Sequence, residues 1–142
     1  MFRKFLVPMM FALFTFASCD KSETDLLSSE CIRVKVIADI CGTAVIQFQD
    51  EKHYTLGEKG WSQDGGKTVF DNVAFTVFSC EDMQYLANTF NDGTTGKMIN
   101  VKVTDNFEMG NCAVCLAIIS NPPTKRVNIK IARNGCSSSQ NG

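Results

Sequence analysis

The stretch CIRVKVIADICG, residues 31–42, decides how the rest of the chain folds. Apolar residues alternate with mostly polar ones from Ile32 to Ile40, and a period of two predicts an amphipathic strand with one solvated face. The pair Cys41-Gly42 predicts a turn or a bulge directly after it. This stretch therefore indicates a half-buried strand at the start of a β domain.

The same alternation recurs further along the chain. It predicts strands at residues 43–49, 73–78, 99–103 and 127–131. Residues 80–90 carry apolar side chains at helical spacing after Ser79, which predicts a short helix with Ser79 as its N-cap. Glycines and mixed charges at 50–68 predict a long loop, with a short strand near 54–56. The continuous apolar run at 112–119 predicts one more, buried strand.

The predicted order is three strands, one short helix, then two or three strands. This order resembles the OB-fold, a small Greek-key barrel, here with a helix between its third and fourth strands. The resemblance covers residues 31–134 and implies an all-β, OB-like barrel of five or six strands. A small β-sandwich is the alternative architecture.

The first 18 residues have the three zones of a secretory signal: basic residues at positions 3 and 4, an apolar run, and small residues at positions 17 and 18. The apolar run of about 12 residues is shorter than the roughly 20 that a membrane-spanning helix needs. The tetrapeptide FASC, residues 16–19, resembles the lipobox of bacterial lipoproteins. That resemblance implies cleavage before Cys19 and lipidation of its thiol; an ordinary signal peptide cut near residue 18 is the alternative.

The lipoprotein resemblance also implies a domain organisation. It divides the chain into a signal peptide at 1–18, a lipidated flexible tether at 19–30, a single β domain at 31–136 and a polar tail at 137–142. Acidic residues in the tether are similar to the surface-export signals of Bacteroidetes lipoproteins. The implied location is the outer membrane, on its periplasmic or its surface face, with the membrane contacted through the lipid on Cys19.

The charge balance excludes one class of partner. The leader contributes two basic residues, so the mature chain carries 12 basic and 15 acidic side chains. Nucleic-acid binding needs clustered Lys and Arg to contact phosphates. We therefore expect no nucleic-acid partner.

Six cysteines remain once Cys19 is set aside as the lipidation site. An even number of cysteines in an exported chain predicts up to three disulfides, with 15 possible pairings. These candidates are Cys31, Cys41, Cys80, Cys112, Cys115 and Cys136. If residues 112–119 are extended, the Cα atoms of Cys112 and Cys115 lie about 10 Å apart, farther than the roughly 7 Å that a disulfide tolerates. We therefore expect each of the two to pair with a different partner.

Few residues suggest catalysis or metal binding. His53 is the chain's one histidine, and we interpret it as an exposed loop residue without a metal-binding role. No catalytic set is recognisable, so we expect neither enzymatic activity nor a cofactor. Tyr54 and Trp61 lie in the predicted long loop, where aromatic side chains contact a protein or glycan ligand or fold back as a lid.

These observations favour a lipid-anchored binding or accessory module of the cell envelope. Its expected contact surface is the loop at 50–68 with the neighbouring strand face. One alternative is a thiol–disulfide redox protein that uses Cys112 and Cys115, which have the Cys-x-x-Cys spacing of redox motifs. Another is a structural subunit of an envelope assembly.

Overall fold

The computed structural model describes residues 30–136. Five strands form one antiparallel sheet, with β1 at its centre and β3 and β5 at its edges. In chain order the strands are β1 (Ile32–Ile40), β2 (Thr43–Phe48), β3 (Val73–Val77), β4 (Met98–Val103) and β5 (Ile129–Ile131). A 3₁₀ helix at Glu51–Leu56 follows β2, and helix α1 (Cys80–Thr89) joins β3 to β4. The predicted signal peptide, Cys19, the tether up to residue 29 and the tail at 137–142 lie outside the described residues.

The two edges of the sheet approach each other and partly close it. The backbone N–H of Phe75 in β3 donates to the carbonyl of Lys125 at 2.8 Å, and the N–H of Val127 donates to the carbonyl of Phe75 at 3.0 Å. These bonds form a parallel bridge between β3 and the chain just before β5. The prediction of a small all-β, OB-like barrel with a helix between its third and fourth strands is confirmed.

The turn between β1 and β2 has two residues, both with left-handed backbone. Cys41 has a φ of 54° and Gly42 a φ of 81°, and Ile40 pairs directly with Thr43. Positive φ at both central positions is the conformation of a type I′ hairpin turn, which matches the twist of the strands it joins. The predicted turn is confirmed, and it fixes the register of the first hairpin.

A bulge in β1 separates the buried residues into two groups. The pairing with β2 shifts between Val36 and Ala38, so Ile37 is the extra residue. Because side chains alternate between faces, this shift turns Ala38 to the face opposite Val36. The main core inside the barrel consists chiefly of Ile32, Val34, Val36, Ala44, Ile46, Phe48, Ala74, Phe78, Leu86, Ile99, Val101 and Ile129. A second group, here called the outer cluster, contains Ala38, Val45, Trp61, Val73 and Ile119.

Helix α1 begins where the sequence predicts. The hydroxyl of Ser79 accepts a hydrogen bond from the backbone N–H of Asp82 at 3.1 Å, which satisfies one of the free donors of the first turn. Leu86 is buried in the main core, with Met83 and Phe90 packed against it. The helix thereby covers part of the main core.

The predicted short strand near residues 54–56 is wrong. Backbone N–H groups of His53 and Gly57 donate to the carbonyls of Asp50 and Tyr54, at 2.9 and 3.1 Å. Bonds between residues three apart wind this segment into a 3₁₀ helix. The segment therefore adds no strand to the barrel.

We expect Gly42→Ala to lower the free energy of unfolding by about 1–2 kcal/mol for the left-handed backbone, and by a further, smaller amount because the end of the Met83 side chain must move. An ideal Cβ on Gly42 overlaps the sulfur of Met83. Gly60→Ala is the matched control, since Gly60 has a φ of 73° and no atom within 4 Å of its ideal Cβ. Urea unfolding of both variants measures the difference, and equal losses would contradict the close packing of Gly42 on Met83.

Candidate functional site

The outer face of the first three strands is covered by the chain itself. OB-folds bind ligands on the face of strands 2 and 3, between the loops that join strands 1 to 2 and strands 4 to 5. In this chain Trp61 and Ile119 pack over Ala38, Val45 and Val73 on that side of the sheet. Trp61 is 5% exposed and Ile119 is 3% exposed. The face with the most common binding role in this fold is therefore closed.

Trp61 is held in its buried position from two sides. Its indole N–H donates to the carbonyl of Asn121 at 2.8 Å, and its backbone exchanges hydrogen bonds of 3.0 and 2.7 Å with that of Phe70. Tyr54 is half-buried and packs against the main core. The structure thus turns both aromatic candidates for ligand contact inward, and Trp61 serves as a lid on the outer cluster.

Glu58 fastens this lid to the connection between β4 and β5. One carboxylate oxygen accepts from the N–H and the hydroxyl of Thr124, both at 2.6 Å, and from the N–H of Lys125 at 2.8 Å. Partial burial raises the pKa of Glu58, but the hydrogen bonds from Thr124 and Lys125 outweigh it and hold the pKa below its ordinary value of 4.5. The carboxylate is therefore charged at neutral pH and stabilises the contact.

This contact predicts a pH dependence. Because the pKa of Glu58 is lower in the folded state, its stabilising contribution is complete above 4.5 and is lost as the pH falls through the folded-state pKa. We expect Glu58→Gln to melt below the wild type at neutral pH, with a difference that shrinks as the pH falls below that value. Thermal melts across this range measure it, with Glu51→Gln as an exposed control. A difference that persists unchanged at the lowest pH would rule out the carboxylate as the cause.

His53 is not the exposed loop residue that the sequence predicts. It is 1% exposed, because the 3₁₀ helix turns its side chain inward. Its Nε2 atom lies 3.1 Å from a carboxylate oxygen of Glu30, and its Nδ1 atom lies 3.9 Å from one of Asp50. The hydrogen bond from Lys52, and then the neighbouring His53, lower the pKa of Glu30. The histidine therefore helps to attach residue 30 to the barrel.

Three disulfides connect the six predicted cysteines. Their Cα–Cα distances of 5.5, 5.5 and 5.7 Å lie within the usual range for a bridge. The pairs are Cys31–Cys136, Cys41–Cys115 and Cys80–Cys112. The prediction that Cys112 and Cys115 pair with different partners is confirmed.

Two of these bridges hold the long connection between β4 and β5, residues 104–128. Cys115 is bonded to Cys41 in the β1–β2 turn, and Cys112 is bonded to Cys80, the first residue of α1. The connection is therefore fixed to two different elements at points three residues apart. The third bridge joins Cys31, before β1, to Cys136, after β5.

Between and after these two bridges the chain exposes apolar side chains. We call residues 113–118 the apolar loop. Leu116 is 98% exposed, Ile118 is 74% exposed and Val114 is 48% exposed. Residues 111–124 contain no charged side chain, so the exposed surface of this part of the chain is uncharged. Contiguous exposed apolar residues of this kind mark interaction sites more often than chance.

The predicted buried strand at 112–119 is wrong. In the described part of the chain, no backbone hydrogen bond joins residues 113–118 to a strand. The two bridges draw Cys112 and Cys115 toward different elements, and this geometry leaves the residues between and beyond them outside the sheet. Ile119 alone turns inward, to the outer cluster.

A cleft of about 670 Å³ lies between the start of α1, residues 107–112 and β5. Its charged groups are largely used within the chain, since Arg133 contacts Glu81 at 2.9 Å and Asp82 at 3.3 Å. Within residues 30–136 no three His, Cys, Asp or Glu side chains are grouped in a way that could hold a metal ion. The cleft therefore provides a weaker basis for a binding site than the apolar loop does.

The exposed residues of the apolar loop were missed as site residues by sequence reasoning. Hydrophobicity alone assigned Leu116 and Ile118 to a buried strand. The available signal was the pair Cys112 and Cys115, since bridges from both cysteines to different elements constrain the first half of the apolar run.

Over residues 30–136, no helix has the length and apolar character that crossing a membrane requires. Comparison with protein-family models, curated proteins and solved structures found no match to this chain.

Proposed function

We propose that this chain is a lipid-anchored binding module of the bacterial cell envelope and that the apolar loop is its contact surface for a protein partner. The lipobox-like FASC at 16–19 supports the anchor at Cys19. The three disulfides support an oxidising compartment, since such bridges form and persist mainly outside the cytosol. The apolar loop replaces the loop at 50–68 as the expected contact surface.

The apolar loop is proposed as the contact surface because Leu116 and Ile118 are exposed in a loop that two bridges attach to the domain. A pre-ordered apolar contact loses little conformational entropy on binding, so more of its burial energy is realised as affinity. The side chains of Leu116 and Ile118 bury little surface within their own domain. A partner that covers them would account for two large apolar side chains at the surface.

The position of the loop relative to the proposed anchor also supports a partner. The tether joins the domain just before Cys31 at one end of β1, whereas the loop is bonded to Cys41 at the other end of that strand. The proposed anchor therefore joins the domain at the end of β1 opposite to the end that carries the loop. This arrangement suits contact with another protein.

The anchor is tested by Cys19→Ser in the full-length chain, expressed in a bacterium that processes lipoproteins. We expect the wild type to incorporate a labelled acyl chain and to sediment with membranes. The variant is expected to do neither. Acylation of the variant to the wild-type extent would overturn the proposed anchor.

The contact surface is tested by a photo-crosslinking residue in place of Leu116 in the full-length protein in cells. Illumination is expected to join position 116 to a protein. The same residue in place of Lys102, which is exposed on β4, serves as the control and should give much weaker adducts. A position 116 that forms no more protein adduct than position 102 would refute the loop as a contact surface.

The thiol–disulfide redox alternative has less support from the geometry. Cys112 and Cys115 belong to different bridges, so a redox cycle between them would first need both bridges to be exchanged. An insulin-reduction assay that shows activity in the wild type and none in a Cys115→Ser variant would favour this alternative. Co-purification in a stable assembly from membranes would favour the structural subunit.

A further inference from the structure

The outer face of β1, β4 and β5 carries a group of basic side chains. Along these strands buried residues alternate with residues that point away from the main core. The outward positions before the bulge of β1 and along β4 and β5 are Arg33, Lys35, Met98, Asn100, Lys102 and Lys130. None of these residues is acidic. The four basic residues are here called the basic patch: Arg33, Lys35, Lys102 and Lys130.

The register of the strands brings these side chains together. Lys102 on β4 lies directly opposite Lys130 on β5, and Arg33 on β1 lies directly opposite Asn100 on β4. Directly opposed residues have Cβ atoms about 4.5–5.5 Å apart, and diagonal neighbours such as Arg33 and Lys102 lie roughly 7–8 Å apart. Like charges directly opposite each other destabilise a sheet. The pair of Lys102 and Lys130 therefore costs the fold some stability.

The chain does not neutralise this charge itself. Within residues 30–136 no ion pair involves the basic patch, and the basic partners of the pairs present are Lys52, His53, Lys97 and Arg133. Glu108 lines the same cleft as Lys130, but no ion pair joins the two. The chain has 14 basic and 15 acidic residues overall, so positive charge is concentrated on this face. Such a concentration attracts anions.

The basic patch reaches the end of the domain at which the tether enters. Val101 pairs with Ile32, the first residue of β1. The next residue of β4, Lys102, is therefore level with Cys31. The tether of the proposed anchor ends just before Cys31, so the segment that connects the domain to the lipid leads directly to the basic patch.

We propose that the basic patch contacts the phosphate groups of anionic phospholipids in the membrane that holds the anchor. This inference rests on the proposed function, because the lipid on Cys19 brings the domain to that surface. An ammonium group binds phosphate as a point charge, so a lipid phosphate between Lys102 and Lys130 would offset their mutual repulsion. Each basic residue near an anionic surface strengthens the attraction about fivefold.

An anionic membrane suits the basic patch better than an acidic protein does. The core of a protein interface is usually apolar and poor in charge. Met98 is the one large apolar side chain among the outward positions of this face, and it is 37% exposed. Attraction to lipid head groups needs no apolar centre and no pocket. Contact with protein is therefore an outcome that the experiment must distinguish.

The experiment uses the full-length lipidated protein with a photo-crosslinking residue in place of Met98, which pairs with Lys35. The protein is inserted into vesicles of phosphatidylcholine alone or of equal parts phosphatidylcholine and phosphatidylglycerol. We expect lipid adducts to be about fivefold or more higher in the second vesicles, and to fall at high salt because salt screens exposed charges.

The outcomes separate this contact from the anchor. Protein that floats with both vesicles and gives equal lipid adducts in both would overturn the contact and leave the anchor in place. Adducts that join two copies of the protein, instead of protein and lipid, would also overturn the contact alone. Wild-type protein that floats with neither vesicle would overturn the anchor and the contact together.

A charge reversal keeps the test independent of folding. Lys130→Glu places opposite charges across β4 and β5, so the variant should melt no lower than the wild type. Its lipid adducts in the anionic vesicles should nevertheless fall about tenfold or more. Lys59→Glu is the matched control, since Lys59 is exposed and follows Glu58, which pairs with Val73 on β3 at the opposite edge of the sheet. This control should keep the wild-type adducts, and equal losses in both variants would overturn the basic patch as the contact.

Discussion

Replacing Cys41 and Cys115 together with alanine is expected to lower the free energy of unfolding by about 3–4 kcal/mol and to release the apolar loop. The bridge joins residues separated by 74 positions, so its loss returns considerable entropy to the unfolded chain. It also removes the attachment that holds the loop beside the β1–β2 turn. Chemical unfolding measures the first effect, and crosslinking from position 116 measures the second.

The paired replacement of Cys31 and Cys136 is the matched control for this prediction. That bridge spans 105 positions and its loss should cost a comparable amount of stability. Neither cysteine of that bridge lies in residues 104–128. Crosslinking from position 116 should therefore persist in the fraction of the protein that remains folded. If both double variants lose crosslinking equally, the Cys41–Cys115 bridge has no specific role in presenting the loop.

Replacing Trp61 with alanine is expected to lower the free energy of unfolding by about 3–5 kcal/mol, as large-to-small changes in a core do. The indole covers Val45 and Val73, and its N–H satisfies the carbonyl of Asn121. Trp61→Phe keeps most of the apolar cover and loses the hydrogen bond, so its expected cost is about 1 kcal/mol. Urea unfolding monitored by far-ultraviolet circular dichroism measures both values. Tryptophan fluorescence is unsuitable because Trp61 is the chain's one tryptophan and both variants remove it.

The opposite pattern would restore Trp61 as a candidate for ligand contact. If Trp61→Ala leaves the free energy of unfolding unchanged while it abolishes binding to a partner, the indole faces that partner and the outer cluster does not depend on it. The structure predicts a large stability loss because the side chain is 5% exposed.

The strands of this fold could be predicted because their buried and exposed residues alternate locally. From Ile32 to Ile40 and again in β2 and β4, the period of two is visible in the sequence alone and matches the observed bounds within a residue or two. The Ser79 cap is equally local. A strand or helix can be predicted from sequence when its pattern of buried and exposed residues is visible over a few neighbouring positions.

The bulge at Ile37 could not be predicted in the same way. The alternation of the sequence runs through it without a break and would place Ala38 on the same face as Val36. The bulge lies just beyond Lys35, where the pairing of β1 with β4 ends while its pairing with β2 continues, and a bulge bends its strand. These pairings join residues that are far apart in the chain, so the local pattern does not show them.

The apolar loop and His53 were misassigned for a related reason. Hydrophobic character predicts burial only if an apolar surface is available to pack against the side chain. The bridges from Cys112 and Cys115 hold this part of the chain away from the sheet, so Leu116 has no such surface. His53 is buried because the 3₁₀ helix brings it toward Glu30 and Asp50. Both outcomes depend on contacts with residues far away in the chain, Cys41 and Cys80 for the loop and Glu30 for His53.

Cys112 and Cys115 fasten the apolar loop to two different elements of an OB-like barrel. Peptide mapping by mass spectrometry tests this arrangement most directly, on full-length protein taken from membranes with its free thiols blocked and its disulfides unreduced. The predicted result is three linked peptide pairs: Cys31 with Cys136, Cys41 with Cys115, and Cys80 with Cys112. A bridge between Cys112 and Cys115, or blocked free thiols at either position, would contradict it.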